Sequence, residues 1–300
     1  MRRLRPFPLG RRPPTLSALP ETSPATGPGP IAGAGFPETS PFPGASRVAT
    51  GPFGYLLLFG VGLVAGTLNV LAGGGSFMTL PVMIFLGLPA TVANGTNRVA
   101  ILVQNVGAVA GFTRHRLVER SWLFRAALPA LMGAGLGTWL AVIMGDRTFE
   151  KLLATLMVAV TLWTLWDPVG KARQTEEMGE AFGPAGRWAL AAGFFLVGIY
   201  GGLVQAGIGF LILTLTTVGG LNLVRGNALK VLLILVFTPL SLAIFAATGN
   251  VDWGMGGALA AGTFLGGLLG VRITVLKGHA WVKRVVLVAV IVFAAKLWIG

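Results

Sequence analysis

The stretch Gly62-Leu-Val-Ala-Gly66-Thr-Leu-Asn69-Val-Leu-Ala-Gly73-Gly74-Gly75-Ser76-Phe-Met-Thr-Leu-Pro81 decides how the rest of the chain is read. An apolar run, 53–72, stops at three consecutive glycines, and a much shorter one, 77–88, starts just after them. A membrane-spanning helix needs ~20 residues, because it rises ~1.5 Å per residue across a hydrocarbon core of ~30 Å. The second run is roughly half that length. A helix that begins inside a membrane exposes unpaired backbone groups, which are tolerated only where they line a cavity. Its N-terminus carries about half a positive charge, directed at whatever binds there.

The same pattern returns 136 residues later. Gly62-x3-Gly66-x6-Gly73, with Asn69 between, matches Gly198-x3-Gly202-x6-Gly209, with Gln205 between, and a second short run, 208–220, follows Gly207-Ile208-Gly209. Downstream, Asn94-Gly-Thr-Asn97 matches Asn227-Ala-Leu-Lys230. Glycine spacing alone could arise by chance in a chain with 45 glycines, but the matching amides and short runs point to an internal repeat.

The composition agrees with a membrane setting. Of 300 residues, 54% are hydrophobic and 11% charged, with a mean hydropathy of +0.78, where a soluble domain carries about 25% charged residues. Further apolar runs fall near 90–112, 122–144, 148–166, 188–206, 222–248, 253–276 and 280–299, and Trp122, Trp166, Trp188, Trp253, Trp281 and Trp298 sit near run ends as interfacial anchors. The net charge of +13 is spread over tail and loops, so it reads as membrane orientation and not as nucleic-acid affinity. Cys is absent, and His115 and His279 fall in separate expected loops, so neither a metal site nor another cofactor is expected. Residues 1–50 hold 11 of the 18 prolines and six arginines, and are expected to be a disordered tail. That composition loosely suits a transit peptide. It suits a GC-rich genome or an early start codon better.

Loop charges give the repeat a sense. The basic stretches 113–121 and 277–284 occupy non-equivalent places in the two halves, and with 167–187 they are expected on the cytoplasmic side. The chain then divides into a first transmembrane repeat at 51–166, a cytoplasmic linker at 167–187 and a second repeat at 188–300. The expected fold is an all-α integral membrane protein of about 8 to 10 helical segments in two inverted repeats, each with a glycine-broken half-helix. On that count the basic tail lies outside, against the charge rule.

Polar residues inside the runs locate a candidate site. Asn94, Asn97, Arg98, Gln104 and Asn105 fall largely on one face of a helix, and Asn227 and Lys230 repeat the first two positions. A charge inside a membrane costs at least ~2.5–3.5 kcal/mol on insertion scales, so it is seldom idle. Arg98 could grip an oxyanion bidentately and Lys230 could act as a point charge; the alternative is that both snorkel from helix ends. Asn69 and Gln205 could bind ligand or cap freed backbone, and Gly62/Gly66 and Gly198/Gly202 read mainly as close helix packing. No Asp or Glu lies mid-run, so buried positive groups have no buried negative partner, which points to an anionic substrate. The candidate binding residues are Asn69, Gly73, Gly74, Gly75, Ser76, Asn94, Asn97, Arg98, Gln205, Gly207, Gly209, Asn227 and Lys230, with no catalytic group among them.

The first-repeat motif, with Leu86-Gly87-Leu-Pro89 and Ala93-Asn94-Gly-Thr-Asn97-Arg98 after it, resembles that of the TauE/SafE sulfite exporter family, also called the 4-toluene sulfonate uptake permeases. The similarity covers about 60–299; the second break, Gly207-Ile208-Gly209, is less glycine-rich than in many members. The resemblance implies a transporter with two related halves, and small sulfur-containing anions such as sulfite, sulfonates and sulfoacetate as substrates. The expected function is export of such anions across the bacterial inner membrane, with the anion bound at the half-helix N-termini. An anion channel or a non-transporting scaffold is the alternative, and no nucleophile, base or metal cluster supports a membrane enzyme. The expected partners are the lipid bilayer and the substrate, and a homo-oligomer stays open.

Overall fold

The computed structural model describes residues 51–71, 73–117, 120–165 and 184–299. These form nine helices: α1 (Pro52–Leu71), α2 (Ser76–Phe85), α3 (Ala90–Arg114), α4 (Arg120–Ile143), α5 (Asp146–Leu165), α6 (Pro184–Leu203), α7 (Ile208–Val218), α8 (Leu223–Ala247) and α9 (Trp253–Ile299). No strand occurs among the described residues. The tail expected at 1–50 and most of the linker expected at 167–187 lie outside them, although α6 already begins at Pro184.

Five helices are long and apolar enough to cross a membrane: 52–71 in α1, 122–143 in α4, 186–203 in α6, 223–247 in α8 and 253–276 in α9. The chain is an all-α, multi-pass membrane protein. Lipid-length helices expose large apolar side chains such as Phe124, Leu128 and Leu196, and Trp188 and Trp253 are exposed near helix starts as interfacial anchors require. Helix α3 is as long as α8 but is too polar to qualify as a span by composition; it is buried along most of its length, from Ala90 to Phe112. Other protein helices, and not lipid, surround its polar stripe.

One expectation is overturned. The stretch 277–284 was expected as a basic loop between two runs, but α9 continues through it as one helix of 47 residues, about 70 Å at ~1.5 Å per residue. The residues there, Lys277-Gly-His-Ala-Trp-Val-Lys-Arg284, contain no proline and only one glycine, so charge alone does not end the helix.

The half-helices α2 and α7 end alike. Gly87 N–H donates to Ile84 O (2.9 Å) and Leu88 N–H to Met83 O (3.1 Å); 133 residues on, Gly220 N–H donates to Thr217 O (3.0 Å) and Leu221 N–H to Thr216 O (2.9 Å). Both glycines sit at positive φ, +97° and +89°, which a side chain would resist. Acids near helix ends serve as caps. Asp252 Oδ1 accepts from Met255 N–H (2.9 Å) at the start of α9, and Asp146 Oδ1 accepts from Thr91 N–H and Oγ1–H (both 2.9 Å) at the start of α3.

The longest packings come in a matched pair: α1 lies along α9, and α6 lies along α4. Both are built on small residues that let backbones touch. A Cβ on Gly262 or Gly266 of α9 would overlap the carbonyls of Phe59 and Leu63 in α1, and a Cβ on Gly133 or Gly137 of α4 would overlap those of Phe195 and Ile199 in α6. Phe195 and Ile199 follow Phe59 and Leu63 by the same 136 residues seen in the sequence. The first helix of each half thus packs on the fourth element of the other half.

Candidate functional site

The two breaks meet. A Cβ on Gly73 would overlap Gly209 Cα, and a Cβ on Gly209 would overlap Gly73 Cα, so the two backbones are in direct contact. Gly73 has φ +90° and Gly207, the N-cap of α7, has φ +71°, which lets the chain reverse into each half-helix without strain. Gln205 takes a left-handed conformation, φ +63°, despite its side chain. The N–H groups of Gly74, Gly75, Ser76, Gly207 and Gly209 have no hydrogen-bond acceptor among the described residues. Phe77, Met78 and Thr79 turn back onto Gly74 O and Gly75 O, and Phe210 onto Gly207 O. Two half-helix N-termini are therefore brought to one place, each with N–H donors that have no acceptor among the described residues.

The broken helices also leave C-terminal carbonyls, and the buried cations go to them. Lys230 of α8 donates from Nζ to Asn69 O (3.0 Å) and Val70 O (2.8 Å) at the end of α1, and to Asn227 Oδ1 (2.8 Å). Asn227 Nδ2 donates to Leu71 O (3.3 Å), the last residue of α1. Arg98 of α3 donates from Nη1 to Gly201 O (2.8 Å) and from Nη2 to Gly202 O (2.6 Å) at the end of α6. Asn94 Nδ2 donates to Leu203 O (2.9 Å), the last residue of α6. The two sets correspond atom for atom: the asparagine takes the final carbonyl, and the cation takes the two before it. Each half caps the broken helix of the other.

This arrangement answers how the charges are tolerated. Both cations are fully buried, and neither has a carboxylate partner among the described residues. The C-terminus of a helix carries about half a negative charge, and charge-assisted hydrogen bonds contribute about 1.5–3 kcal/mol each. Three such bonds at Lys230, or two plus the Phe245 ring 5.3 Å from the Arg98 guanidinium carbon, offset an insertion cost of ~2.5–3.5 kcal/mol. Snorkelling is not what these side chains do.

The remaining candidates divide between structure and open chemistry. Asn97 is fully used: its Oδ1 accepts from Thr79 Oγ1 (2.8 Å) and its Nδ2 donates to Ser76 Oγ (3.0 Å), which ties α3 to the first turn of α2. Asn69 packs its Cβ against Gly75 and donates to Gln104 Oε1 (3.3 Å). Gln205 Nε2 donates to Thr238 Oγ1 (3.2 Å), while its Oε1 is buried without a partner. Buried atoms also without a partner are Asn94 Oδ1, Arg98 Nε, Gln104 Nε2 and Asn105 Oδ1. Gly74 faces Phe210 of the opposite half-helix and Gly207 faces Phe77, so each break is covered by the other's aromatic ring.

Several contributors carry little sequence signal. Tyr200 Oη donates to Ala206 O across the second break. Thr138 of α4 brings its hydroxyl to Gly202 O (3.1 Å) and to Ser241 Oγ of α8 (2.8 Å). Single hydroxyls in apolar helices are common, and only their placement beside a break singles these out. Among the described residues no group of three or more His, Cys, Asp or Glu side chains is placed to hold a metal.

Long apolar helices enclosing a polar helix and two touching half-helices define a polytopic membrane protein with a buried polar centre of the kind transporters use. The family can be stated directly: the profile described as Sulfite exporter TauE/SafE matches residues 58–297, and the chain belongs to that family. It is 28% identical over 243 residues to a "probable membrane transporter protein" of Haemophilus influenzae, covering 80% of this chain and 93% of the relative. It is 27% identical to YfcA of Escherichia coli (80% and 88%) and 22% identical to YunE of Bacillus subtilis (79% and 95%), both named in the same terms. No solved structure matches the chain closely enough to count as a relative.

Proposed function

We propose that this membrane transporter moves small sulfur-containing anions, such as sulfite, sulfonates or sulfoacetate, outward across the bacterial inner membrane. The observation that carries the reading is the contact of Gly73 with Gly209, which joins two half-helix N-termini where the N–H groups of Gly74, Gly75, Ser76, Gly207 and Gly209 have no acceptor among the described residues. Arg98 and Lys230 add two buried positive charges with no carboxylate beside them among the described residues. In this reading the anion's oxygens take the N–H groups of Gly74, Gly75, Ser76, Gly207 and Gly209, while those of Gly73 and Ile208 stay on Leu68 O and Gln205 O. Asn69, Asn94 and Gln205 stand beside the breaks as further ligands. Arg98, Asn97, Asn227 and Lys230 hold the broken helices in place, and the two cations supply the positive field. Outward movement of an anion runs down an inside-negative potential by ~2.3 kcal/mol per charge per 100 mV, so export needs no coupling ion.

The reciprocal capping and the paired α1–α9 and α6–α4 packings support two repeats of inverted sense, with one half rocking on the other around the breaks. Flux of radiolabelled sulfite and sulfoacetate from proteoliposomes tests the reading. Saturable flux, abolished by Arg98→Ala in protein that still folds, is the expected result. Absence of flux for every anion tried overturns it, and unsaturable flux favours a channel.

A further inference from the structure

Helix α3 carries a buried donor that neither the capping nor the packing uses. Gln104 is 1% exposed. Its Oε1 accepts from Asn69 Nδ2, while its Nε2 has no partner and no accessible surface. An unpaired buried amide N–H2 group costs about 1–3 kcal/mol, so a chain retaining one gains from it in another state. Asn69 is the residue whose Cβ lies against Gly75, the N-cap of α2, and Gln104 Cγ packs on Gly267 of α9. The free donor is thus fixed beside the first break, on the wall formed by α1, α3 and α9.

The other half is built differently at the matching place. Gln205 stands where Asn69 does, and its Nε2 donates to Thr238 Oγ1, whose hydroxyl in turn donates to Ile234 O (2.6 Å). The atom left over there is an acceptor, Gln205 Oε1. The two breaks therefore offer unlike side-chain groups, a donor at the first and an acceptor at the second.

We propose that Gln104 is a substrate-binding residue, whose Nε2–H donates to an oxygen of the anion held at the N-terminus of α2. This rests on the anion reading above and adds to it a residue of the binding shell. A fully deprotonated oxygen belongs at the first break. An oxygen or nitrogen bearing hydrogen belongs at the second, where Gln205 Oε1 can accept.

Gln104→Met tests this, because methionine fills the same length without a donor. In proteoliposomes assayed with sulfite and with sulfoacetate, KM is expected to rise roughly tenfold for both, the loss of one hydrogen bond to a charged group, with kcat within about twofold. Losing the acceptor of Asn69 Nδ2 lowers the melting temperature without ligand by a few degrees, and the upward shift that sulfite produces shrinks. If Gln104→Met does not fold, Gln104→Asn serves: it keeps an amide, withdraws the donor by one bond, and also raises KM. Unchanged KM for both probes in a folded variant overturns the assignment. So does a lowered melting temperature with unchanged KM, which makes Gln104 a support for Asn69 only. Wild-type protein that neither binds nor moves either probe overturns the anion reading itself, and Gln104 with it.

Discussion

The two halves of the chain solve one problem with different cations. Arg98 holds the end of α6 with two nitrogens of a planar fork, stacked on Phe245, and has its Nε left over. Lys230 holds the end of α1 with one nitrogen that has three acceptors, and it has nothing left over. A guanidinium has five donors and an ammonium three, so the first-half cap keeps spare hydrogen-bonding capacity and the second-half cap is saturated. Corresponding positions in the two halves thus agree in architecture and differ in hydrogen-bonding capacity. The Arg98 side keeps one buried donor without a partner, and the Lys230 side keeps none.

The contact shared by the halves should give the largest effect. A Cβ at Gly73 or Gly209 meets the opposite backbone, which has no rotamer by which to yield. Gly73→Ala also forces a side chain to φ +90°, so overpacking and backbone strain combine to about 4 kcal/mol or more. Gly209→Ala carries the overpacking alone, about 1–3 kcal/mol. Thermal melts in detergent are expected to show Gly73→Ala failing to assemble and Gly209→Ala surviving with a lowered midpoint. Equal tolerance of both would mean that the breaks do not touch.

Next come the cations. Lys230→Met leaves three acceptors unsatisfied in the protein interior and is expected to cost about 3 kcal/mol or more. Arg98→Lys keeps a charge near Gly201 O and Gly202 O but loses the fork and the ring contact, and should cost about 1–2 kcal/mol. The reverse exchange, Lys230→Arg, must fit a larger head where Lys230 Cδ already lies 3.0 Å from the place a Cβ on Gly209 would take, so it should cost about 1–3 kcal/mol. Flux separates the halves further. Arg98→Lys should impair transport more than its stability loss explains, because the spare Nε is lost, whereas Lys230→Arg should impair it only through folding. Matching losses in both would erase the functional difference between the halves.

What could be read from the residues, and what could not, follows from the range of each interaction. Helix lengths depend on local apolar runs and glycines, so 77–88 and 208–220 announce α2 and α7 to within a few residues. The pairing of Asn94 with Asn227 rests on a spacing that survives in the sequence, although Arg98 follows its asparagine by four residues and Lys230 by three. The identity of their partners does not survive, because backbone carbonyls leave no mark in the residue names. A lone buried cation therefore looks the same whether it awaits an anion or caps a helix. The continuation of α9 through 277–284 was hidden for the opposite reason: local charge suggested a loop where no breaker forces one.

The asparagines give the smallest and sharpest comparison. Asn227 uses both ends, donating to Leu71 O and accepting from Lys230, whereas Asn94 donates to Leu203 O and leaves Oδ1 buried and unpaired. Asn227→Ala thus removes two hydrogen bonds and frees one ammonium proton, for about 2–3 kcal/mol, and Asn94→Ala removes one bond together with one unsatisfied acceptor, for about 1 kcal/mol or less. If Asn94 Oδ1 contributes to substrate binding, Asn94→Ala raises KM without lowering the melting temperature by more than a few degrees. The two variants then move in opposite senses: one is nearly stable and binds weakly, the other is unstable and binds normally once folded. That crossing of stability against KM is what distinguishes a half that binds from a half that holds, and two variants falling on one line would show that the caps are equivalent in use as well as in position.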